Sequence, residues 1–203
     1  RNAGQSRRHC HRPTTGGCKA GWSDILIGVV QAYAEINGTA NVSHVREKIT
    51  DMIMHTETMY SCGIAACIKA KKVEGVGMIP DMILANNTKY VASKAVYELV
   101  RLAEDITGGI ITTLPSEREF KNPEIAHYLA KYYKGAKEAP AEQRARIVRL
   151  IENLTYGAGA LCHSAAHGGG SGQACKITMY YASKGEPLES RVRDAKRLCG
   201  IKE

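Results

Sequence analysis

The sequence predicts an all-α protein built as an antiparallel helix bundle. Apolar residues recur every three or four positions through several long stretches, which is the spacing of one face of an α-helix. Aromatic residues make up only 6% of the chain, so the core has to be aliphatic and rich in alanine, which favours close helix packing over a β-sandwich. With 203 residues, the chain is long enough for one helical domain with its own hydrophobic core.

Three long helices are predicted in the first half of the chain. The first spans 22–37 and is stopped by Gly38. The second follows Ser43, a suitable N-cap, and the small residue Gly63 with its neighbouring alanines predicts the close approach of another helix. The third spans 80–109, with a proline in its first turn and a diglycine at its end.

The second half is predicted to contain shorter helices. The stretch 110–114 has the apolar character of a short β-strand, and Ser116 with Glu119 resembles a capping box. A helix that begins with a proline is expected to direct Leu150 and Leu161 inward. The helices of this half are predicted over 122–133, from Pro140 to about Leu161, over 173–184 and over 188–199.

The net positive charge of the chain favours anionic partners but does not distinguish one class of anionic partner from another. A net charge of +8 suits an anionic ligand such as a nucleotide or coenzyme A, and it equally suits nucleic acid. Arg7, Arg8 and the arginines near Arg144 have no recognition motif beside them and no interleaved aromatic residues, so a solvated helix face is the better interpretation. We therefore expect no nucleic-acid partner.

The cysteines indicate a cellular compartment. There are 7 of them, an odd number, and the sequence has no signal peptide and no long uncharged apolar run. We therefore expect a cytoplasmic protein with no membrane span, whose cysteines are reduced thiols or metal ligands. Cys62 and Cys67 are interpreted as buried, inert thiols.

One domain is expected over 1–203. A loop over 1–20 precedes a helical bundle over 21–163, and a glycine-rich loop with terminal helices occupies 164–203. The sequence begins without methionine and inside a motif. We expect a fragment or a processed subunit whose N-terminal half is absent.

A short stretch near the start concentrates imidazoles and thiols: His9, Cys10, His11 and Cys18. These are common ligands for zinc or an iron–sulfur cluster, and the diglycine before Cys18 allows a tight turn that points them at one place. The alternative is a basic tail with stray histidine and cysteine, which composition alone favours.

Two glycine-containing stretches are candidates for cofactor contact. The run 168–173 exposes backbone N–H groups ahead of a helix, which suits a phosphate, although a flexible helix connection explains it equally well. Gly108 and Gly109 end a long helix. They are interpreted either as a helix cap or as a place where the backbone approaches a cofactor.

Several stretches, in order along essentially the whole chain, resemble the 4-hydroxybutyryl-CoA dehydratases. They include the His-Arg-x-x-x-Gly-Gly-Cys-Lys pattern that ends at Lys19 and the His-Gly-Gly-Gly-Ser-Gly-Gln-Ala pattern that ends at Ala174. The matching stretches are 11–19, 41–45, 57–65, 100–110, 114–117, 150–153 and 167–174. The resemblance covers the C-terminal part of the family's polypeptide.

The resemblance implies a fold and an assembly. The wider family includes flavin-dependent 4-hydroxyphenylacetate 3-monooxygenases and has the acyl-CoA dehydrogenase-like fold. Its C-terminal domain is a helical bundle that helps to form a homotetramer, or dimer of dimers, with FAD where subunits meet. A partner chain or the missing N-terminal half would complete the protein.

The resemblance also implies cofactors and their ligands. The dehydratases hold a 4Fe-4S cluster on three cysteines and one histidine, and His11 and Cys18 match the histidine and the last cysteine. The other two cysteines belong to the absent half. The positions that match regions approaching the flavin phosphate or adenine are Gly108, Gly109, Gly168, Gly169, Gly170, Ser171 and Gln173.

The implied reaction is that of a lyase which converts 4-hydroxybutyryl-CoA to crotonyl-CoA, with vinylacetyl-CoA isomerase activity. In the family, FAD exchanges one electron with the acyl-CoA substrate and the cluster acts as a Lewis acid toward the leaving hydroxyl. His11 matches a candidate base, and Lys19 is expected close to the same site.

The sequence departs from the family pattern at two places. Thr15 replaces an active-site tyrosine, and the stretch 163–166 lacks an active-site glutamate. The alternatives are therefore a flavin-dependent aromatic hydroxylase of the same fold and an inactive helical assembly domain. We expect these 203 residues alone to have no activity, because neither a complete cluster site nor a complete flavin site can be built from them.

Overall fold

The computed structural model describes residues 11–163 and 168–201, and within these ranges the chain is almost entirely helical. The α-helices are α1 (Thr14–Ile36), α2 (Ser43–Ile68), α3 (Met82–Thr107), α4 (Glu117–Lys121), α5 (Ala126–Tyr132), α6 (Ala141–Thr155), α7 (Ala158–His163), α8 (Gly172–Ser183) and α9 (Glu186–Leu198). A short 3-10 helix (Ala136–Glu138) and two strands, β1 (Lys71–Val73) and β2 (Gly77–Ile79), complete the described elements. The predicted all-α class is confirmed. No helix in the described ranges is long and apolar enough to cross a bilayer.

Helix α1 begins at Thr14 and not at Trp22, so the prediction of its start was wrong. Cys18 and Lys19 consequently lie in a helix and not in a loop. The predicted end is confirmed, because Gly38 has a φ of +72° and closes the helix. Its N–H donates to the Glu35 carbonyl at 3.0 Å.

The ends of α2 and α3 differ slightly from the predictions. Ser43 is the first residue of α2 and not the cap before it, since the carbonyl of Val42 accepts the first helical N–H bonds. Asp81 caps α3: its carboxylate accepts the N–H of Leu84 at 2.9 Å. Gly108 ends α3 as predicted, with a φ of +63°.

A small β-hairpin that was not predicted connects α2 and α3. Strand β1 pairs antiparallel with β2, and Val73 faces Gly77 at the turn. Gly75 has a φ of +73° in the connecting loop, a conformation that favours glycine. The hairpin is a short β-structured connection between two long helices.

The stretch after α3 does not form the predicted β-like run. Residues 110–113 are turns, and the N–H of Thr112 donates to the Gly109 carbonyl at 3.1 Å. These local bonds take the backbone groups that a strand would offer to a neighbour. The glutamate half of the predicted capping box is present, since the Ser116 N–H donates to the Glu119 carboxylate at 2.5 Å.

The helix predicted over 122–133 is present but shorter, since α5 begins only at Ala126. The helix predicted from Pro140 to about Leu161 is interrupted, because α6 ends at Thr155 before α7. Leu150 and Leu161 were predicted to point inward, but both are exposed, with Leu161 75% exposed. The buried apolar face of α6 consists of Val148, Ile151 and Leu154.

The chain divides into two compact units, and each is described separately. The first consists of 1–18, 59–93 and 168–203, and the second of 19–58 and 94–167. In the first unit Gly16 of α1 and Gly63 of α2 lie against each other, with 3.6 Å between the Gly16 Cα and the Cβ position of Gly63. The predicted close helix approach at Gly63 is confirmed.

The second unit is stabilised by aliphatic packing, with a hydrogen bond and an ion pair between its helices. The hydroxyl of Tyr33 donates to the carbonyl of Thr107 at 3.1 Å, which fixes α1 against the end of α3. Lys48 and Asp105 form an ion pair at 2.7 Å between α2 and α3. The buried core residues of this unit include Trp22, Leu26, Val30, Met52, Leu99, Val148 and Ile151.

Candidate functional site

The residues immediately before α1 and in its first two turns include exposed reactive side chains and buried polar ones. His11 and Cys18, the predicted metal ligands, are both exposed. Arg12 and Lys19, the residue after each of them, are buried, and so is Thr15. Exposed ligand candidates therefore lie beside buried positive charges.

Arg12 connects three parts of the first unit. Its Nε donates to the carbonyl of Gly169 at 3.0 Å, and its Nη1 donates to the side-chain oxygen of Asn86. The Asn86 amide nitrogen in turn donates to the Met82 carbonyl at 2.6 Å, which fixes the side chain on α3. A guanidinium that is only 5% exposed is thus bonded to neutral oxygens.

The predicted glycine loop lies directly against these residues. Gly168, Gly169 and Gly170 all have positive φ, at 68°, 75° and 87°. A Cβ on Gly168 would lie 3.2 Å from Nε2 of His11, and one on Gly169 would lie 3.5 Å from Cγ of Arg12. The structure therefore brings together His11 and the glycine loop, which are distant in sequence.

Helix α8 begins immediately after this loop. The hydroxyl of Ser171 accepts the N–H of Ala174 at 3.2 Å and so caps the helix. Gly172 lies against Tyr90, whose ring would be 3.5 Å from an added Cβ. Gln173 is exposed at the first turn.

A second buried cation and a buried thiol complete this region. Lys89 is 1% exposed, and its Cδ and Cε would lie 3.7 Å from a Cβ on Gly169. Burial raises the pKa of the Cys175 thiol, while the positive charges of Arg12 and Lys89 act in the opposite direction. The local electrostatic environment is therefore cationic, which suits an anionic group.

Lys19, the second predicted catalytic residue, belongs to the second unit. It is 2% exposed, and its backbone carbonyl accepts the hydroxyl of Ser23 at 2.8 Å within α1. Thr15 is also buried on α1 and carries no phenol. A group at this position therefore lacks the reach and the acidity of a tyrosine side chain.

Gly108 and Gly109 form a helix end in the second unit. The N–H of Gly108 donates to the Glu104 carbonyl at 2.9 Å, and Gly109 has a φ of +73°. Both glycines are exposed, and an added Cβ on either would meet nothing within 4 Å. They therefore act as a helix cap and leave open space beside the backbone.

The described residues do not by themselves form a metal site. Within 11–163 and 168–201, no three histidine, cysteine, aspartate or glutamate side chains lie together as a metal site. His9 and Cys10 lie outside the described residues. His11 and Cys18 have the right chemistry and exposure for two ligands of a thiolate-bound cluster, which needs further ligands from elsewhere.

Arg12, Asn86 and Lys89 were missed by sequence reasoning. Arg12 and its partner Gly169 are separated by 157 positions, and no local pattern indicates that contact. Asn86 and Lys89 lie among ordinary polar residues of α3. The only available signal was the position of Arg12 next to a candidate ligand.

The thiol predictions were partly wrong. Cys67 is exposed and Cys62 is half-buried, with its sulfur accepting from the Asn87 amide at 3.3 Å. Both lie on α2, near the exposed residues Tyr60 and Ile64. Among the cysteines whose side chains the structure describes, Cys175 is fully buried.

The sequence matches a known family model over nearly its whole length. The model for the C-terminal part of 4-hydroxyphenylacetate 3-hydroxylase (HpaB) covers residues 2–197. The chain belongs to this family. The family assignment agrees with the resemblance to the 4-hydroxybutyryl-CoA dehydratases, since both enzyme types occur among the relatives.

One relative is 4-hydroxybutyryl-CoA dehydratase/vinylacetyl-CoA-Δ-isomerase from Clostridium aminobutyricum. It is 36% identical over 202 residues, which is 95% of this chain and 41% of that protein. The 4-hydroxyphenylacetate 3-monooxygenase oxygenase component of Thermus thermophilus is 26% identical over 86% of this chain and 36% of that protein. The chain thus spans about two fifths of the length of these relatives.

Solved structures establish the fold. An oxygen-tolerant archaeal 4-hydroxybutyryl-CoA dehydratase from N. maritimus has a TM-score of 0.89 and 37% identity, over 98% of this chain and 39% of that one. A 4-hydroxyphenylacetate 3-monooxygenase oxygenase component complexed with FAD has a TM-score of 0.80 and 25% identity, over 93% of this chain and 40% of that one. The predicted acyl-CoA dehydrogenase-like C-terminal helical bundle is confirmed.

Proposed function

We propose that this chain is the C-terminal domain of a flavin- and iron–sulfur-dependent lyase that dehydrates 4-hydroxybutyryl-CoA to crotonyl-CoA and isomerises vinylacetyl-CoA. The observation that carries the proposal is the arrangement at the start of α1. His11 and Cys18 are exposed, the adjacent cations are buried, and the glycine loop lies against the imidazole. The 36% identity to a dehydratase over 95% of the chain supports the same reaction.

In this proposal His11 and Cys18 hold one side of a 4Fe-4S cluster. When bound, the cluster supplies a Lewis acid for the hydroxyl that leaves, and FAD supplies one-electron chemistry. The exposed Cys18 provides a sulfur ligand, and the His11 imidazole provides a ligand nitrogen or acts as a base. Arg12 supplies positive charge next to this anionic group.

Lys19 is proposed to act on the substrate. Lys19 is 2% exposed, and in this proposal its ammonium donates hydrogen bonds to a carbonyl or carboxylate oxygen of the substrate. Thr15 offers a hydroxyl where the dehydratases have a tyrosine. We therefore propose an acyl-CoA substrate and expect Thr15 to affect which acyl group is accepted.

The flavin is proposed to use the glycine segments. Gly168, Gly169 and Gly170 have backbone conformations that permit close approach, and Ser171 and Gln173 follow at the start of α8. Gly108 and Gly109 offer open space beside the backbone in the second unit. A relative of 25% identity binds FAD in its solved structure, which supports FAD as the cofactor here.

The complete protein is proposed to contain more polypeptide and more than one copy of this chain. Because the chain spans about two fifths of its relatives, the remaining length would supply the other cluster ligands. We propose a homotetramer or dimer of dimers in the cytoplasm. Helix α9 supports an assembly contact, because it has no buried residue and exposes Val192 and Leu198.

The activity test uses the assembled protein under anaerobic conditions with 4-hydroxybutyryl-CoA. We expect crotonyl-CoA to form, and we expect the 203-residue chain alone to form none. Product formation by the isolated chain would contradict the proposal that further polypeptide is needed. No product from an assembled protein that carries both cofactors would contradict the proposed substrate.

A flavin-dependent aromatic hydroxylase is the second candidate function. Thr15 in place of the dehydratase tyrosine favours it, as does the 26% identity to a 4-hydroxyphenylacetate 3-monooxygenase component. Hydroxylation of 4-hydroxyphenylacetate with reduced flavin and oxygen, by protein without iron, would support this alternative. An assembled protein with neither activity nor cofactor would support a third reading, an inactive assembly domain.

A further inference from the structure

The guanidinium of Arg12 occupies an unusual position between two distant segments. Its two bonded nitrogens point to different acceptors, the Gly169 carbonyl and the Asn86 side-chain oxygen. Asn86 is 0% exposed and is itself bonded to the backbone of α3. The contact therefore attaches the glycine loop to a rigid part of the first unit.

The glycine loop in turn limits the position of His11. The Cβ position of Gly168 is 3.2 Å from Nε2 of His11, so the loop lies against this edge of the imidazole. His11 is otherwise exposed. A displacement of the loop would remove this contact and leave the imidazole free to reorient.

A buried charge with neutral partners indicates a role beyond ordinary packing. Burial of an ionised side chain is costly unless it is compensated. Among the ion pairs formed by the described residues, none includes Arg12. The cost is offset by two hydrogen bonds, which are stronger than neutral ones because the donor is charged.

We propose that Arg12 is a positioning residue: it holds the glycine loop against His11 and so fixes the direction in which the imidazole is presented. The role of His11 as a ligand rests on the proposed function, but the contact between loop and imidazole does not. Lysine cannot replace Arg12 in this role, because its single ammonium lacks the planar fork that reaches both acceptors. Asn86 supplies the second acceptor for the Arg12 guanidinium and so shares this positioning role.

The test compares Arg12→Lys and Arg12→Gln with wild type in the full-length assembled protein. Arg118→Gln on the exposed face of α4 is the matched control. Hydrogen exchange of the peptide that contains Gly168–Gly170 reports on the loop, and the rate of His11 modification by diethyl pyrocarbonate reports on the imidazole. Both are measured in cluster-free protein, and the imidazole nitrogen coupling is measured by pulsed EPR once iron is bound.

We expect both Arg12 variants to accelerate loop exchange and His11 modification by about tenfold, the effect of losing one charge-assisted hydrogen bond. The control should match wild type, and the circular dichroism of all variants should stay native. Wild-type rates in folded Arg12→Gln protein would overturn the proposal. If Arg12→Gln does not fold, Arg12→Lys and Asn86→Leu decide by the same two rates. Wild-type protein that binds no iron would contradict the proposed function only, since the cluster-free rates still decide the role of Arg12.

Discussion

Two tyrosines around Arg144 in the second unit differ in whether their hydroxyl groups are hydrogen-bonded. The guanidinium lies over the rings of Tyr33 and Tyr133, with 5.8 and 5.1 Å between its Cζ and the ring centroids. The Tyr33 hydroxyl donates to a carbonyl, whereas the buried Tyr133 hydroxyl has no hydrogen-bond partner among the described residues. The two tyrosines should therefore respond oppositely to removal of the hydroxyl.

Tyr133→Phe is expected to leave the protein as stable as wild type or to stabilise it by up to about 1 kcal/mol, because it removes a buried group that makes no bond. Tyr33→Phe is the matched control and should cost about 0.5–1.5 kcal/mol through the lost bond to Thr107. Denaturant unfolding of both variants measures the difference. A larger loss for Tyr133→Phe than for Tyr33→Phe would contradict the assigned hydrogen bonds.

The same hydroxyl predicts a pH dependence. Burial raises the pKa of Tyr133 above its ordinary value of 10.0. A raised pKa in the folded state means that the unfolded chain releases its proton first, so stability is retained below about pH 10 and falls as pH rises through the folded pKa. Tyr133→Phe should reduce this alkaline loss relative to wild type in melting curves from pH 8 to 11. Identical alkaline slopes would show that Tyr133 does not titrate in this way.

Gly168 tests the contact with His11 at a single atom. Gly168→Ala would place a Cβ 3.2 Å from Nε2 of His11 and would strain a backbone with a φ of +68°. Gly75→Ala has the same strain, with a φ of +73°, but its Cβ meets nothing within 4 Å. We expect similar losses of thermal stability, of about 1–2 kcal/mol, in both variants but lower iron content only in Gly168→Ala. Equal iron content in the two variants would contradict the proposal that His11 is a ligand of the cluster.

The crossing of α1 and α2 depends on small residues. A Cβ on Gly16 would lie 2.8 Å from the Met59 carbonyl oxygen and 3.0 Å from Cγ2 of Thr88. Neither the backbone oxygen nor a packed methyl group can move far in a close-packed interior. The start of α1 therefore needs glycine at this position.

Gly16→Ala is expected to destabilise the protein by about 1–3 kcal/mol through overpacking, despite the better helix propensity of alanine. Gly21→Ala on the same helix is the control, because nothing lies within 4 Å of its Cβ position and the residue is exposed. It should stabilise the protein by about 0.5–1 kcal/mol. The two thermal midpoints should move in opposite directions, and an increase for Gly16→Ala would contradict the close crossing.

This crossing also explains which elements the sequence predicts. Gly38 and Gly108 mark helix ends through local backbone conformation, so those ends are readable without tertiary information. The start of α1 is not readable, because two threonines and two glycines have low helix propensity. Packing of Gly16 against α2 overrides that local preference, and it does so through contacts between distant residues.

In the candidate site, too, some features can be predicted from the sequence and others depend on the fold. His11, Cys18 and the glycine run are visible as residue types in the sequence, whereas the contact between His11 and Gly168 is not. The Arg12 bond to Gly169 connects two segments that are 157 positions apart. Such pairings are produced by the fold as a whole, so the sequence suggests the participants and the structure supplies their arrangement.

At the scale of the whole molecule, the proposed function gives this chain part of a cofactor site and assigns the rest of that site to further polypeptide. It contributes two exposed ligand candidates and a net charge of +8, over about two fifths of the length of its relatives. The basic balance suits the anionic cofactors and the coenzyme A ester of the proposal. The uncovered face of α9 suits an assembly of several copies.

The most direct test of this account is anaerobic analysis of iron, sulfide and flavin in the assembled protein, for wild type and for Cys18→Ala. Cys199→Ala is the control, because Cys199 is an exposed thiol at the C-cap of α9. We expect about four irons and one FAD per protomer in wild type and in the control, as a cubane cluster requires, and loss of iron with retention of FAD in Cys18→Ala. Unchanged iron in Cys18→Ala, or flavin without iron in wild type, would contradict the central claim that this chain supplies ligands to an iron–sulfur cluster.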